Sequence, residues 1–164
     1  MLHNPNPDDS KLIRPIDTRR IFDRISKPES HRLMKIGVLD TETTGFNSDV
    51  CDVTQLSIVR FWSDGKTLLG IDDEYTSYNQ PRRRISPKIT AHTGITDDTV
   101  RGHAIETQYV DQIANECDII LAHNAPFDRG FSTPYSIIFK DKVWGCTSSE
   151  IDWVGMGFES AKLT

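Results

Sequence analysis

At 164 residues and 18.6 kDa, with 37% hydrophobic and 26% charged residues, the chain is sized for a single hydrophobic core, and wholesale disorder is excluded. No apolar run approaches the roughly 18 to 20 residues that span a bilayer, and Met1 to Ser10 holds no apolar signal core, so a cytoplasmic protein with no membrane partner is expected. A net charge of −5 is wrong for a protein that grips nucleic acid by bulk electrostatics.

That average hides a split. Between Lys11 and Lys35 there are eight basic residues against three acidic ones, whereas residues 36–164 carry eleven basic and nineteen acidic. An acidic body still acts on a polyanion where divalent cations sit on its carboxylates and invert the local sign. Cys51, Cys117 and Cys146 are odd in number and lack CxxC spacing, which argues against a disulfide framework and a zinc site and leaves reduced thiols.

In chain order, residues 1 to about 10 read as a frayed tail. Ile16, Ile21, Phe22 and Ile25, separated by arginines, predict a short amphipathic helix with a basic outer face, either a packing arm or an arm that touches nucleic acid. The domain organisation expected is therefore a tail and basic arm over 1–34 and one domain over 35–164. Ile36-Gly37-Val38-Leu39 predicts a buried central strand ending in Asp40. Val53 to Trp62, a turn at Asp64-Gly65, and Leu68 to Tyr78 complete an antiparallel meander.

Pro81-Arg82-Arg83-Arg84 and Ser86-Pro87 read as a loop, because proline cannot continue a ladder. Ile105, Tyr109, Val110, Ile113, Ala114 and Cys117 then recur with helical period. Asp118 to Ala122 predicts another short buried strand, Ala125 to Phe131 a helix that Pro134 ends or kinks, and Val143 to Cys146 a last strand. Three antiparallel strands followed by helix, strand, helix and strand imply an α/β fold, a mixed sheet with helices packed on it.

Asp40-Thr41-Glu42 lies at the end of the first strand, where alternation puts Asp40 and Glu42 on one side if the extended geometry persists. Two converging carboxylates repel unless a hard cation such as Mg²⁺ or Mn²⁺ sits between them. Alone, D-x-E is a weak pattern that solvated carboxylates satisfy equally well. Two features strengthen it. Thr43-Thr44-Gly45-Phe46 forms a small-residue turn beside the pair, and Ala122-His123-Asn124-Ala125-Pro126-Phe127-Asp128 ends a second strand and delivers a third carboxylate. Ligands gather at such strand ends.

Val38-Leu39-Asp40-Thr41-Glu42-Thr43-Thr44-Gly45 resembles the first motif of the DEDD 3′→5′ exonuclease superfamily, to which the proofreading epsilon subunit of bacterial DNA polymerase III belongs. Ala122 to Asp128 resembles the second motif, and Ile89 to Gly102, with His92-Thr93-Gly94-Ile95-Thr96, resembles the connecting segment. The resemblance implies a ribonuclease-H-like α/β fold with a mixed five-stranded sheet whose first three strands are antiparallel. It implies a hydrolase that releases mononucleotides from a nucleic-acid 3′ end, DNA rather than RNA, with two Mg²⁺ or Mn²⁺ ions about 3.5 to 4 Å apart. It further implies a polymerase subunit as partner.

Carried over by motif, Asp40 bridges both ions, Glu42 holds the ion that binds the attacking water, and Asp128 serves the second. Thr41, Thr44 and Phe46 are expected to cradle the terminal nucleotide. Phe127 either stacks on a base or packs behind the motif as a core aromatic. His123 and Asn124 count with Phe127 among the substrate-binding residues, and they and His92 are expected to organise loops rather than carry protons.

The superfamily has a third motif, His-x-Ala-x-x-x-Asp or Tyr-x-x-x-Asp, that supplies a fourth carboxylate and a base. After Asp128 the acids are Asp141, Glu150, Asp152 and Glu159, and none has His or Tyr at the required spacing before it. Gly157 to Thr164 resembles the segment that opens the helix leading to that motif, so the chain reads as C-terminally truncated. Little or no exonuclease activity is expected of it alone, with the ion site between Asp40 and Asp128 better preserved than the other. A sheet face left open by the truncation is expected to support dimerisation. The alternatives are a non-catalytic module that binds nucleic acid or a polymerase, and an exoribonuclease.

Overall fold

The first strand runs further than its apolar residues suggest. In the computed structural model of the chain, which describes residues 33–162, β1 covers Met34–Thr43 and carries Asp40 and Glu42 within it rather than at its tip. Its burial alternates as a two-residue period requires: Leu39, Thr41 and Thr43 are buried, while Val38 and Asp40 are open to solvent and Glu42 is half-buried. β2 (Val53–Ser63) pairs with β1 antiparallel, with Asp40 opposite Ser57 and Glu42 opposite Gln55, and the register slips between Glu42 and Thr43. β3 (Leu68–Tyr78) returns antiparallel to β2 through the turn at Asp64-Gly65, where Gly65 has φ 85°.

β4 (Ile119–Ala122) joins the other edge of β1 in parallel, and β5 (Trp144–Cys146) pairs in parallel with β4. The sheet order is β3-β2-β1-β4-β5, a mixed five-stranded ribonuclease-H-like sheet whose first three strands are antiparallel. β1 is central, as its apolar run implies. Gly37 has a steric reason: a Cβ there would lie 2.8 Å from both Cys117 Sγ and Ile120 Cδ1.

The segment read as loop between Pro81 and Ile105 holds two short helices, α1 (Pro87–Thr93) and α2 (Asp97–Val100). Pro87 does not break structure here. It occupies the first turn of α1, where no N–H partner is needed, while the Ser86 hydroxyl accepts the Ile89 N–H and Gly94, at φ 75°, closes the helix. Thr96 and Thr99 form a reciprocal cap at the start of α2.

α3 (Thr107–Glu116) is the helix expected from the period beginning at Ile105. α4 (Ala125–Ser132) stops before Pro134, and two one-turn helices, α5 (Ile138–Asp141) and α6 (Thr147–Glu150), were not signalled by any periodicity. Leu39, Leu56 and Ile58 of the sheet, Val110, Ile113 and Ala114 of α3, and Phe131 and Phe139 form the main core. Arg60, 5% exposed, fastens β2 to β3 and α3: it meets Asp72 at 2.6 Å, Glu116 at 3.2 Å and Asp73 at 3.5 Å.

Residues 153–157 form turns, and the segment from Gly157 is not helical through residue 162. The amphipathic helix expected over Ile16–Ile25, and the basic arm through residue 32, lie outside the described residues. No helix of the described residues is long and apolar enough to cross a membrane.

Candidate active site

β4 pairs with β1 only as far as Val38 opposite Leu121, so the last residues of β1 extend past it and leave that edge without a ladder partner. A buried N–H in such a position needs an acceptor. Asp128, in the first turn of α4, supplies it: its Oδ1 accepts the Thr41 N–H at 3.0 Å and the Thr41 hydroxyl at 2.9 Å. The Asn124 carbonyl in turn accepts the N–H groups of Phe127 at 2.9 Å and Asp128 at 3.3 Å, which sets the pitch of that first turn. A residue on β1 and a residue on α4, 87 positions apart in sequence, are thus joined beside Asp40.

The electrostatics follow from that placement. Burial raises the Asp128 carboxyl to about 6, against the pull of the Thr41 hydrogen bonds and with added repulsion from Asp40. Asp40 is also raised: it opens to solvent, but the protein behind it desolvates the carboxyl, and His123 offsets only part of this. Glu42 is raised by burial and by repulsion from Asp40, with His92 opposing. The charge of Asp40 thus raises both of the other acids. Among the described residues, none of the three forms an ion pair with Lys or Arg.

Unneutralised carboxylates that repel each other are the donor chemistry a hard divalent cation relieves. The set is not fully gathered, however. Among the described residues, no three His, Cys, Asp or Glu side chains lie together closely enough to hold one ion. The geometry gives a reason: two Thr41 donors fix Oδ1 of Asp128 toward the strand. The three acids fit such a cation in charge and donor type, and drawing them onto one ion requires the Asp128 carboxyl to share or turn from Thr41.

The remaining motif residues fall in different places. Thr41 is buried and its hydroxyl is committed to Asp128, so it positions a carboxylate rather than facing solvent where a nucleotide would lie. The Thr44 hydroxyl accepts the Asp52 N–H at 2.9 Å, and its own N–H donates to the Asp52 carbonyl at 2.9 Å, closing the turn after β1. Phe46 is 89% exposed, with its ring 6.4 Å from that of Phe127. Phe127 is half-buried and packs on Phe131 at 4.7 Å, giving it a core side and a face toward Phe46.

His123 meets Thr147 Oγ1 at 3.0 Å through Nδ1 and the Ala161 carbonyl through Nε2, so it ties the C-terminal turns to β4. Asn124 is exposed and caps α4 through its backbone only. His92, at the end of α1, is exposed within electrostatic reach of Glu42. Asp52, which fixes both Thr44 and Arg82, has no local signature in the sequence and is found only through the fold.

The family described as "Exonuclease" (RNase_T) matches residues 38–147, more than half of the chain and both carboxylate motifs. The chain belongs to this exonuclease family. The family works with divalent metal ions. Among relatives, the DNA polymerase III PolC-type of Streptococcus agalactiae is 32% identical over 96 residues, 57% of this chain and 6% of that protein. That of Thermotoga petrophila is 31% identical over 117 residues, 70% of this chain and 8% of that protein. Ribonuclease T of Shewanella oneidensis is 32% identical over 108 residues, 57% of this chain and 49% of that protein. The chain thus spans half or less of the length of these relatives.

In three dimensions, E. coli exonuclease I, solved in a metal-free complex with single-stranded DNA, superposes with a TM-score of 0.56 over 70% of this chain and 28% of that one. At 16% identity, that likeness speaks for the shared exonuclease fold.

Proposed function

We propose that this exonuclease-family domain is a metal-dependent 3′→5′ exonuclease site for DNA, carried by Asp40, Glu42 and Asp128. The observation that carries the reading is that the Asp128 carboxylate on α4 accepts the N–H at 3.0 Å and the hydroxyl at 2.9 Å of Thr41, the residue between Asp40 and Glu42 on β1, while among the described residues no Lys or Arg pairs with any of the three acids. Asp40, Glu42 and Asp128 would hold Mg²⁺ or Mn²⁺, which when bound activates water and stabilises the leaving oxygen. The chain's own contributions are positional. Thr41 holds the Asp128 carboxyl beside Asp40, His92 and His123 temper the negative charge on Glu42 and Asp40, and Phe46 with Phe127 offers an aromatic surface to a terminal base.

The PolC-type relatives support DNA as substrate and a polymerase as partner, and a cytoplasmic setting accords with both. The ribonuclease T relative supports the second reading, an exoribonuclease. The residues after Asp128 offer no fourth carboxylate preceded by a motif His or Tyr, so this 164-residue chain is proposed to be slow, by roughly 10² to 10⁴-fold against a complete acid–base site.

The test incubates 3′-labelled DNA and RNA oligonucleotides of one sequence with the chain and Mn²⁺. The expected result is slow release of the labelled 3′ mononucleotide, faster from DNA, and abolished by Asp40→Ala. Release that survives Asp40→Ala overturns the site assignment, and turnover at ordinary enzyme rates of about 1 to 10³ per second overturns the proposed slowness.

A further inference from the structure

Arg82, Arg83 and Arg84 follow β3 after three residues, and all three are exposed. They border two adjoining clefts of about 610 and 260 Å³ that share Arg84, Asp97 and Arg101 on their walls. Lys88 stands exposed in the first turn of α1, next to Pro87 of the same wall. The acids nearby are already engaged. Asp52 pairs with Arg82 at 2.7 Å, Asp98 pairs with Arg101, and Asp97 accepts the Ile85 N–H at 2.9 Å. Arg83, Arg84 and Lys88 form no ion pair among the described residues. In a chain of net charge −5, the unpaired Arg83 and Arg84 on the walls, with Lys88 one residue beyond Pro87 of the wall, make a local positive field that the Asp97 carboxylate, bonded only to an N–H, offsets in part.

Two connections tie this cleft to the carboxylates. Arg82 bonds Asp52 through its N–H at 3.0 Å and its Nε at 2.7 Å, and Asp52 closes the turn with Thr44, two residues past Glu42. On the other side, α1 runs from the cleft at Pro87 to His92, whose charge reaches Glu42. Its seven residues cover about 10 Å. A single strand with its 3′ end at the acids therefore meets these cations within a few nucleotides if it follows α1.

We propose that the arginine cleft of Arg83, Arg84 and Lys88 holds the backbone phosphates of the strand upstream of its 3′ terminus, as a sequence-independent second contact. The inference rests on the exonuclease reading of Asp40, Glu42 and Asp128 and adds to it a path for the strand. Guanidinium groups suit phosphate oxygens, and contacts to phosphate position a strand without reading its bases.

The test measures fluorescence anisotropy of the full 164-residue chain with a twelve-nucleotide oligothymidylate and with a thymidine dinucleotide, both with free 3′-hydroxyls, in Ca²⁺ at several salt concentrations. The triple variant Arg83→Ala, Arg84→Ala, Lys88→Ala is expected to lose roughly 10²-fold in affinity for the long strand at about 0.05 M salt. The slope of log affinity against log salt should flatten by about 2, at about 0.7 per lost phosphate contact on a single strand. Dinucleotide binding, too short to reach the cleft, should be unchanged in that variant and lost in Asp40→Ala.

A charge-conserving pair, Arg83→Lys with Arg84→Lys, should keep most of the affinity, which separates charge from any effect on folding. Equal affinities and slopes for wild type and triple variant overturn the cleft proposal, while Asp40-dependent dinucleotide binding leaves the function reading intact. Dinucleotide binding indifferent to Asp40→Ala overturns the function reading and the path built on it.

Discussion

Asp128 is 4% exposed, and its carboxyl is raised to about 6 because burial penalises the charge more than the two Thr41 donors favour it. In metal-free protein the folded state therefore holds a proton between about pH 4 and 6 that the unfolded state releases. That contribution to stability is full below the ordinary carboxylate value near 3.8 and is lost as pH rises through 6. Above pH 6 the ionised group is a cost on the order of 3 kcal/mol at most. Asp128→Asn retains an oxygen for Thr41 and should raise the melting temperature in EDTA at pH 7 to 8, with the gain shrinking through pH 6 and gone below pH 4. Thermal melts across that range check it, and a gain that persists at pH 4 refutes it. Mg²⁺ should stabilise wild type more than the variant.

The same residues show what the sequence makes legible at this scale. D-x-E and the Asp128 motif could be read because alternation and motif spacing are local properties of the chain. The work of the middle residue, Thr41, could not. It depends on β4 ending short of Thr41 and on α4 arriving there, and both are consequences of packing between segments far apart in sequence.

Sequence patterns recovered all five strands, α3 and α4, but not the helices between β3 and α3. Pro87 reads as a breaker because proline cannot continue a strand ladder, yet the chemistry of a helix start is written around it in Ser86, Pro87 and Gly94. Their apolar spacing is too short to show a period, so caps are the only local signal. Ser86→Ala should cost about 1 kcal/mol and, by loosening α1, increase the exchange of the Ile89 amide with solvent deuterium. Undiminished protection of that amide would argue that the hydroxyl is incidental.

Arg60 is the opposite case, an element-level fastening with no sequence signature. Burial pushes Asp72 up, but the hydrogen bond and charge of Arg60, with help from Lys35 at 3.4 Å, hold it below the usual carboxylate range. Arg60→Ala leaves Asp73 without its partner and Asp72 and Glu116 to Lys35 alone, and losing the charge-assisted hydrogen bond of the buried guanidinium should destabilise by about 1.5 to 3 kcal/mol in urea titrations, with Arg60→Lys costing less. A loss under about 1 kcal/mol would mean that those acids re-solvate freely.

Across the molecule, charge and apolar surface are distributed unevenly, and each distribution bears on how the chain meets other molecules. The arginine cleft borders the Pro87 end of α1 and Glu42 is within electrostatic reach of His92 at its other end, a positive and a negative region that net charge averages away. The apolar surface is concentrated elsewhere. Ile151, Val154, Met156 and Phe158 are all exposed within eight residues, on a segment held in place by the Trp153 indole donating to the Thr147 carbonyl at 2.6 Å and by Phe158 stacking edge-on against Trp153 at 5.4 Å. Because Trp153 also lies 6.3 Å from the His123 ring, this segment sits over the end of β4 rather than at a remote corner.

Contiguous exposed apolar patches are uncommon on monomers, and removing several such side chains from water stabilises contact by about 25 cal/mol per Å² before the cost of association is subtracted. The chain is expected to self-associate through this segment. Light scattering should show its mean mass rising with concentration, and the pair Val154→Ser with Met156→Ser should return it to a monomer without lowering the melting temperature, because both side chains are already solvated. A mass that stays at 18.6 kDa across the accessible range, or that rises equally in the serine variant, would show that these residues do not drive contact between copies.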